Sequence, residues 1–500
     1  MSQTLSEGAR TGAPTAPSEA PSSKRWWILA IIGIAQLMVV LDATIVNIAL
    51  PSAQADLGFT DGNRQWIVTA YSLAFASLLL LGGRIADLFG RRTAFLVGIV
   101  GFAGASVLGG VSTGFGMLVT ARALQGVFGA LLAPAALSLL NTTFTDAKER
   151  AKAFSVYGAI AGAGGAVGLL LGGVLTDTFD WRSTLYVNVV FAVVAFAGGW
   201  VLLSNHRDAA NSKLDVPGTV LVATGLFSVV YGFSNAETHD WSSPQTWGFL
   251  TVGALLLAAF AWWQTRAKHP LLPMRVLLDR NRAASFLAVL ITGAGMFGVF
   301  LFLTYYLQLN LGFSPTKTGI AFLPMMAALM VMAQVATTQL VPRIGPKAVI
   351  PAGFAVAAVG MAWLTGIGIG SSFSTAVLPP LLLIGAGLGM VMPPAMSLAT
   401  SGIAPEDAGV ASATVNTMQQ VGGSIGTALL NTLAASAATS YLSGKDATSK
   451  LVQAQATIES YTTAFWWSAG FFVAGALIAL VLYRRGAQEQ DADAVKVVHM

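Results

Sequence analysis

Asp42 stands in the apolar run Trp26–Leu50, WWILAIIGIAQLMVVLDATIVNIAL, which is long enough to cross a bilayer. A carboxylate there costs roughly 2.5–3.5 kcal/mol on insertion scales unless it is paired, hydrated or protonated. The chemistry that suits such a residue is the carrying of a proton. Arg122 lies inside a second apolar stretch, 115–140. A guanidinium in an apolar helix needs a carboxylate or several other acceptors. Asp42 is the one acidic side chain placed well inside a span, so an Asp42–Arg122 relation, direct or through Gln125 or water, is the economical pairing. The alternative is a structural arginine bonded only to carbonyls.

The elements that must position these residues follow from composition. The chain has 500 residues, 55% hydrophobic and only 10% charged, with a mean hydropathy of +0.70. A soluble protein carries about 25% charged residues. Apolar stretches recur along the whole length, so the sequence reads as an all-α membrane protein that crosses the lipid bilayer many times. There is no cysteine, which excludes disulfides, thiol catalysis and thiolate metal sites. His206, His239, His269 and His499 fall in expected loops or the tail without an HExxH or clustered-ligand pattern, so neither a metal nor a cofactor is expected. No Ser/His/Asp or phosphate-loop pattern stands out, which makes an enzyme the weakest reading. The net charge of +5 is no nucleic-acid signal, because the basic residues border spans.

Hydropathy places 14 transmembrane helices, at 26–50, 64–83, 93–112, 115–140, 153–176, 184–204, 216–235, 247–265, 284–309, 317–340, 347–369, 375–399, 408–437 and 461–483. With the N-terminus in the cytoplasm, the inner segments hold 21 Lys and Arg. The outer segments hold five, namely Arg64, Arg182, Lys317, Lys445 and Lys450. Both termini are therefore expected in the cytoplasm, for a multi-pass protein of the cell's inner membrane. Residues 1–24, rich in Ser, Ala, Pro, Gly and Thr, read as a disordered tail, and 486–500 as a second cytoplasmic tail. Trp26–Leu50 is too long for a cleaved signal and lacks its AxA end, so it reads as a retained span.

A long-range repeat organises the spans. Gly164-Gly165-Ala-Val-Gly168 matches Gly422-Gly423-Ser-Ile-Gly426, 258 residues later. GGRIADLFGRR (Gly82–Arg92) has a degraded echo in TTQLVPRIGPK (Thr337–Lys347), with Gly90 against Gly345. Two pseudo-symmetric six-helix bundles are expected, at 25–205 and 283–485, with a two-helix insert at 215–265.

Several motifs carry a family resemblance. Gly83-Arg-Ile-Ala-Asp87-Leu-Phe-Gly90-Arg91-Arg92 is a short basic loop in which Asp87 can cap a helix or pair with Arg91 and Arg92, while Gly90 permits a tight turn. It resembles the signature cytoplasmic loop of the major facilitator superfamily, which implies a conformational latch made by Asp87, Gly90, Arg91 and Arg92. Arg122-Ala-Leu-Gln125-Gly126 resembles the span-four motif whose buried arginine is associated with proton coupling. Leu41-Asp42-Ala-Thr44-Ile-Val-Asn47-Ile-Ala-Leu-Pro51 resembles the span-one signature of the fourteen-span drug:proton antiporter branch. Gly164, Gly168 and Gly172 fall at i, i+4 and i+8, a groove for close helix approach. The glycine-rich span resembles the antiporter motif but carries Gly165 and Leu169 where the family often has proline. Trp181-Arg182, Asn188 and His269-Pro270-Leu-Leu-Pro273 also resemble this branch.

The resemblance implies a substrate cavity lined by the first and fourth spans of each half. Those spans bring Gln36, Asn47, Gln125, Phe297, Phe300, Tyr305, Tyr306, Gln308, Met390 and Met392, with Asn416, Gln419 and Gln420 from span thirteen as contributors. Aromatic and methionine surfaces with scattered amides suit bulky amphipathic small molecules. The reading is a monomeric antiporter that exchanges protons for hydrophobic drugs or antibiotics. Its alternatives are a dedicated exporter of one endogenous metabolite, siderophore or lipid and, less favoured, a non-transporting membrane sensor or scaffold.

Overall fold

A computed structural model describes residues 22–60, 63–144, 146–204, 215–239, 241, 243–268, 270–401, 403, 408–446 and 448–484. Most of both expected tails lies outside these residues. The described chain is helical throughout, without a strand: α1 Ser22–Leu57, α2 Gln65–Phe89, α3 Arg91–Gly110, α4 Phe115–Thr143, α5 Ala147–Thr178, α6 Ser183–Leu202, α7 Val216–His239 and α8 Pro244–Gln264. A short α9, Met274–Leu278, leads into α10 Arg280–Tyr305, α11 Pro315–Val335, a one-turn α12 Val341–Ile344, α13 Pro346–Leu364, α14 Leu378–Thr400, α15 Ala408–Leu442 and α16 Lys450–Leu482. Helices satisfy every backbone polar group within one segment, the requirement for crossing hydrocarbon.

All fourteen stretches expected from hydropathy are helical. Among the described residues, however, only 12 helices are long and apolar enough to cross a membrane. Helix α15 falls short of that hydropathy, and in α5 the fully described apolar run is Gly164–Thr178. Helix α16 starts at Lys450, well before the expected 461, because hydropathy marks the apolar part of a helix and not its polar first turns. Gly90 separates α2 from α3 at φ +98° and Gly345 separates α12 from α13 at φ +79°. Both positions need glycine, and they are the pair that the echo of the basic loop aligned.

Helix α1 packs on α4, α5 and α6, while α2 and α3 pack on α4, and α3 on α6. In the second half α10 packs on α14, α15 and α16, while α11 and α13 pack on α14, and α13 on α16. The halves meet along two seams, α2 against α15 and α5 against α11. Among the described residues, several hydrogen bonds join the halves at the end of the bundle that carries Arg64. Arg64 donates to Asn431 Oδ1 and stacks over the Tyr305 ring at 4.3 Å. Tyr305 donates its hydroxyl to Gln54 at 2.5 Å, Gln308 donates to the Ile48 carbonyl at 3.0 Å, and the Thr316 amide donates to Asp177 at 2.9 Å.

Helices α7 and α8 form a hairpin on the outside of the bundle. Helix α7 lies against both α2 and α15, with Tyr231 5.9 Å from the Trp66 ring. Asp215 fastens the foot of this hairpin. It accepts from Trp263 Nε1 and Gln264 Nε2, each at 2.8 Å, and from the Gly218 amide at 3.0 Å. Gln264 in turn accepts from the Leu272 amide, and Arg84 of α2 donates to the Pro270 carbonyl at 3.2 Å. Burial pushes the Asp215 carboxyl up, but the bonds from Trp263, Gln264 and the Gly218 and Leu271 amides outweigh it and hold the carboxyl below its usual range.

A carboxyl depressed in the folded state stabilises at pH values above its unfolded value, and the contribution is lost as pH falls through the folded value. We expect Asp215→Ala to lower stability by roughly 2 kcal/mol near neutral pH, the scale of hydrogen bonds to a charged group. Thermal unfolding in detergent, followed by tryptophan fluorescence, should show this gap closing below pH about 4. A gap that persists unchanged in acid would show that the carboxylate's charge plays no part.

Candidate functional site

The ionisable pair sits in the middle of the first half, and each helix there contributes to it. Asp42 is fully buried on α1, and its Oδ2 accepts from Arg122 Nη1 at 2.6 Å. Its Oδ1 accepts from Gln125 Nε2 at 2.9 Å and from Asn188 Nδ2, on α6, at 2.8 Å. Arg122 also donates Nη1 to Gln125 Oε1 at 2.6 Å and Nε to the Ile67 carbonyl of α2 at 3.0 Å. Its guanidinium lies 4.6 Å from the centre of the Tyr71 ring. Gln125 donates a further bond to Ser106 Oγ on α3 at 2.8 Å. The two amides and the carbonyl satisfy most of what an ion pair demands when it leaves water.

Glycines set the helix spacing that makes these distances possible. A Cβ on Gly126 would come within 2.4 Å of the Tyr71 carbonyl, so α4 can lie close enough to α2 for Arg122 to reach Ile67. The stripe Gly164, Gly168 and Gly172 faces α1, where Cβ atoms would meet Val40, Thr44 and Ile45. Thr44 Oγ1 would stand only 2.0 Å from a Cβ at Gly168. Helix α5 therefore closes on α1 at the turn that carries Asp42.

The other expected site residues divide. Gln36 accepts from the Tyr157 hydroxyl of α5 at 2.5 Å, and Asn47 donates to the Ala43 carbonyl within α1. Tyr305 reaches Gln54 of the other half, and Phe300 packs on Phe322 at 5.3 Å. Tyr306 points the other way: it is buried, donates to the Gly368 carbonyl at 2.9 Å and meets Tyr461 edge-on. Met390 packs beside Gly353 and the α12–α13 turn. Tyr306 and Met390 thus make these contacts within the second half. Adjacent residues diverge by about 100° on a helix, so Tyr305 and Tyr306 cannot share a face. Asn416 donates to the Ser412 carbonyl of its own helix, and the Gln419 carbonyl lies against Gly293 of α10. The side chains of Phe297 and Asp87 lie outside the described residues. In the basic loop Arg92 donates to the Trp200 carbonyl at 2.8 Å and lies over its ring, tying α3 to α6.

Two small cavities of about 10 Å³, each with room for about one water, flank Arg122. One runs between Ile67, Leu118, Thr184 and Trp181. The other is lined by Ala43, Tyr71, Ser72 and, from the second half, Gln420. Asn188 and Ser106 are the pair's partners that sequence reasoning did not assign to it. An amide such as Asn188 in the middle of an apolar span was the available signal.

The profile of the Major Facilitator Superfamily matches residues 32–427. The chain belongs to this superfamily. It is similar to the puromycin resistance protein pur8 of Streptomyces alboniger, with 49% identity over 479 residues and 95% of each chain covered. It is also similar to the cephamycin export protein CmcT of Amycolatopsis lactamdurans, with 38% identity over 411 residues, 82% of this chain and 85% of the relative. An auto-inhibited peptide transporter of the POT family superposes with a TM-score of 0.67, covering 94% of this chain and 99% of its own at 16% identity, a likeness of fold. This superfamily member is thus a multi-pass membrane protein of transporter type whose buried ion pair draws its hydrogen bonds from the first half.

Arg122→Ala leaves the Asp42 carboxylate without its cation and should destabilise by about 3–5 kcal/mol, read as a lower melting temperature in detergent. Gly168→Ala should impair folding through Thr44, and Thr44→Ala in the same chain should recover part of the folded yield. No recovery would mean that the α1 backbone, and not the Thr44 side chain, sets the spacing.

Proposed function

We propose that this protein is a proton-coupled antiporter that exports amphipathic antibiotics across the cytoplasmic membrane by alternating access. The observation that carries the reading is the fully buried Asp42–Arg122 pair in membrane-spanning helices. A protein that only spans the membrane has no use for such a pair, whereas a proton carrier needs a carboxylate whose charge can be compensated and released. Relatives named for puromycin resistance and cephamycin export support the direction and the substrate class.

The architecture in this reading is fourteen spans, counting α5 and α15, with both termini cytoplasmic. Two pseudo-symmetric halves are supported by the repeated packing: α1 relates to α4, α5 and α6 as α10 relates to α14, α15 and α16. In this orientation the Arg64 end is external, and the hydrogen bonds across the seams there support a state closed to the outside.

Coupling runs through α2. While Asp42 is ionised it holds Arg122, and Arg122 holds the Ile67 carbonyl and the Tyr71 ring of α2. A proton on Asp42 removes the negative charge that retains the guanidinium. Helix α2 then loses its tie to α1 through Arg122, and α2 is one of the helices on which the halves move against each other. Release of the proton to the inside restores the pair as a drug binds. One proton moving down 100 mV supplies about 2.3 kcal/mol.

A second reading, export of one endogenous product, is favoured by relatives such as the probable actinorhodin transporter of Streptomyces coelicolor, 35% identical over 432 residues. A resistance panel separates the two, since broad protection supports the first and protection against a single compound the second.

Inverted vesicles carrying the wild type should take up puromycin when acidified inside, and Asp42→Asn should abolish this proton-driven uptake while remaining in the membrane. Wild-type uptake by Asp42→Asn at equal expression would sink the carrier role.

A further inference from the structure

The two seams between the halves are not equivalent. Along the α2–α15 seam a third helix, α7, lies against both partners. Its residues Val222, Leu226 and Val230 fall at i, i+4 and i+8 and are buried, and Val222 and Leu226 join the same apolar cluster as Ala76 and Leu80 of α2 and Ala411 and Val415 of α15. Tyr231 adds a ring contact to Trp66. The Asp215 clasp and the Arg84 bond to Pro270 hold the foot of the hairpin in place. Helix α8, the outer member, exposes Trp247, Leu255 and Trp262, the apolar surface expected against lipid.

Among the described residues, no third helix packs closely along the α5–α11 seam as α7 does along the other. The α5–α11 seam is tight near the Arg64 end, where Cβ atoms on Gly173 and Gly319 would stand 2.5 and 2.4 Å from the Pro315 and Leu169 carbonyls. At Gly165 it is looser, and a Cβ there would meet only Met326 Sδ, at 3.9 Å. Beyond this point α11 becomes exposed at Met330 and Val331, and it also exposes the amide of Gln334. An uncharged amide at this depth of an apolar helix is tolerated beside a hydrated cleft and disfavoured in hydrocarbon.

We propose that the α7–α8 hairpin seals the α2–α15 seam against lipid, and that a bilayer-dissolved amphipathic substrate enters the cleft through the opposite seam, between α5 and α11. The entry route rests on the export reading above; the seal does not. Amphipathic molecules partition into the membrane before they meet the protein, so a single lateral opening sets where they are collected. The hairpin then has a role in a half-and-half transporter that twelve helices would not supply.

The chain has no native cysteine, so single cysteines report without background. Gly165→Cys places a thiol at the open seam in ordinary van der Waals contact, and Ser424→Cys places one on the α15 face that Gln420 and Asn431 turn toward α2. In proteoliposomes each thiol is reacted with bilayer-partitioning N-phenylmaleimide and, separately, with a charged membrane-impermeant methanethiosulfonate. The ratio of lipid-phase to aqueous rate should be several-fold higher at Gly165→Cys, and Tyr231→Ala should raise it at Ser424→Cys. Saturating puromycin should slow the lipid-phase reaction at Gly165→Cys. Equal ratios at the two sites would overturn the seal. Absence of puromycin protection in vesicles that export puromycin would overturn the entry route. Vesicles that export none would refute the export reading instead, with the seal still decided by the two ratios.

Discussion

An ionised carboxylate inside hydrocarbon has to be compensated on every side, and the first half of this chain is arranged around that demand. Asp42 takes bonds from α4 through Arg122 and Gln125 and from α6 through Asn188. Helix α3 supports Gln125 through Ser106, α2 receives Arg122 at Ile67, and α5 presses its glycine face on α1. No helix of the half is a bystander. An interaction of this kind adds little net stability compared with an apolar packing of the same volume. Its presence is better explained by what a change of charge at Asp42 can do to six helices at once.

Among the described residues, the second half offers nothing comparable. Shifting Asp42 by the repeat offset of 255 to 258 leads to Phe297-Gly-Val-Phe300, and shifting Arg122 leads to Val377-Leu-Pro-Pro380. The packing there is aromatic, as in Phe300 on Phe322 and Tyr306 on Tyr461. In the proton-coupled reading a change of charge is felt first in one half, and α2 is the element that would carry it outward. That single helix holds the Ile67 acceptor, neighbours Arg64 at one end, meets the hairpin through Trp66 and reaches Pro270 through Arg84 near the other.

What was legible in the sequence follows from physical contrast. A charge in an apolar run is visible without a structure, so Asp42 and Arg122 stood out, and Gln125 followed from its spacing to Arg122 on α4. The helices themselves were legible because hydrocarbon admits few alternatives. Which face of a helix meets which neighbour was not. The hydropathy of a span that is apolar all round carries no phase, so Tyr306 and Met390 were assigned to a cleft when their faces turn into their own half. Asn188 escaped for the opposite reason: an uncharged amide on α6 contrasts too weakly with its surroundings to be matched to a partner 146 residues away. The Asp215 clasp was equally hidden, since two of its bonds come from backbone amides, which have no sequence signature.

The helices that line the seams are themselves informative. Helices α5 and α15 occupy corresponding places, each packed on the first helix of its own half and each facing the other half across a seam, α5 against α11 and α15 against α2. A helix surrounded by protein does not need the apolar surface that lipid demands, and close packing rewards small residues over large apolar ones. Gly168 and Gly172 on α5 and Gly422 and Gly426 on α15 meet that need, with Cβ positions 2.0–2.8 Å from atoms of α1 and α10 respectively. Small residues in these helices thus mark the surfaces on which α5 closes on α1 and α15 on α10. Thr417 and Ser424, buried on α15 without hydrogen-bond partners for their hydroxyls, fit the same account. Such groups are disfavoured in a dry seam, and in the alternating-access reading they are satisfied when the seam opens to water.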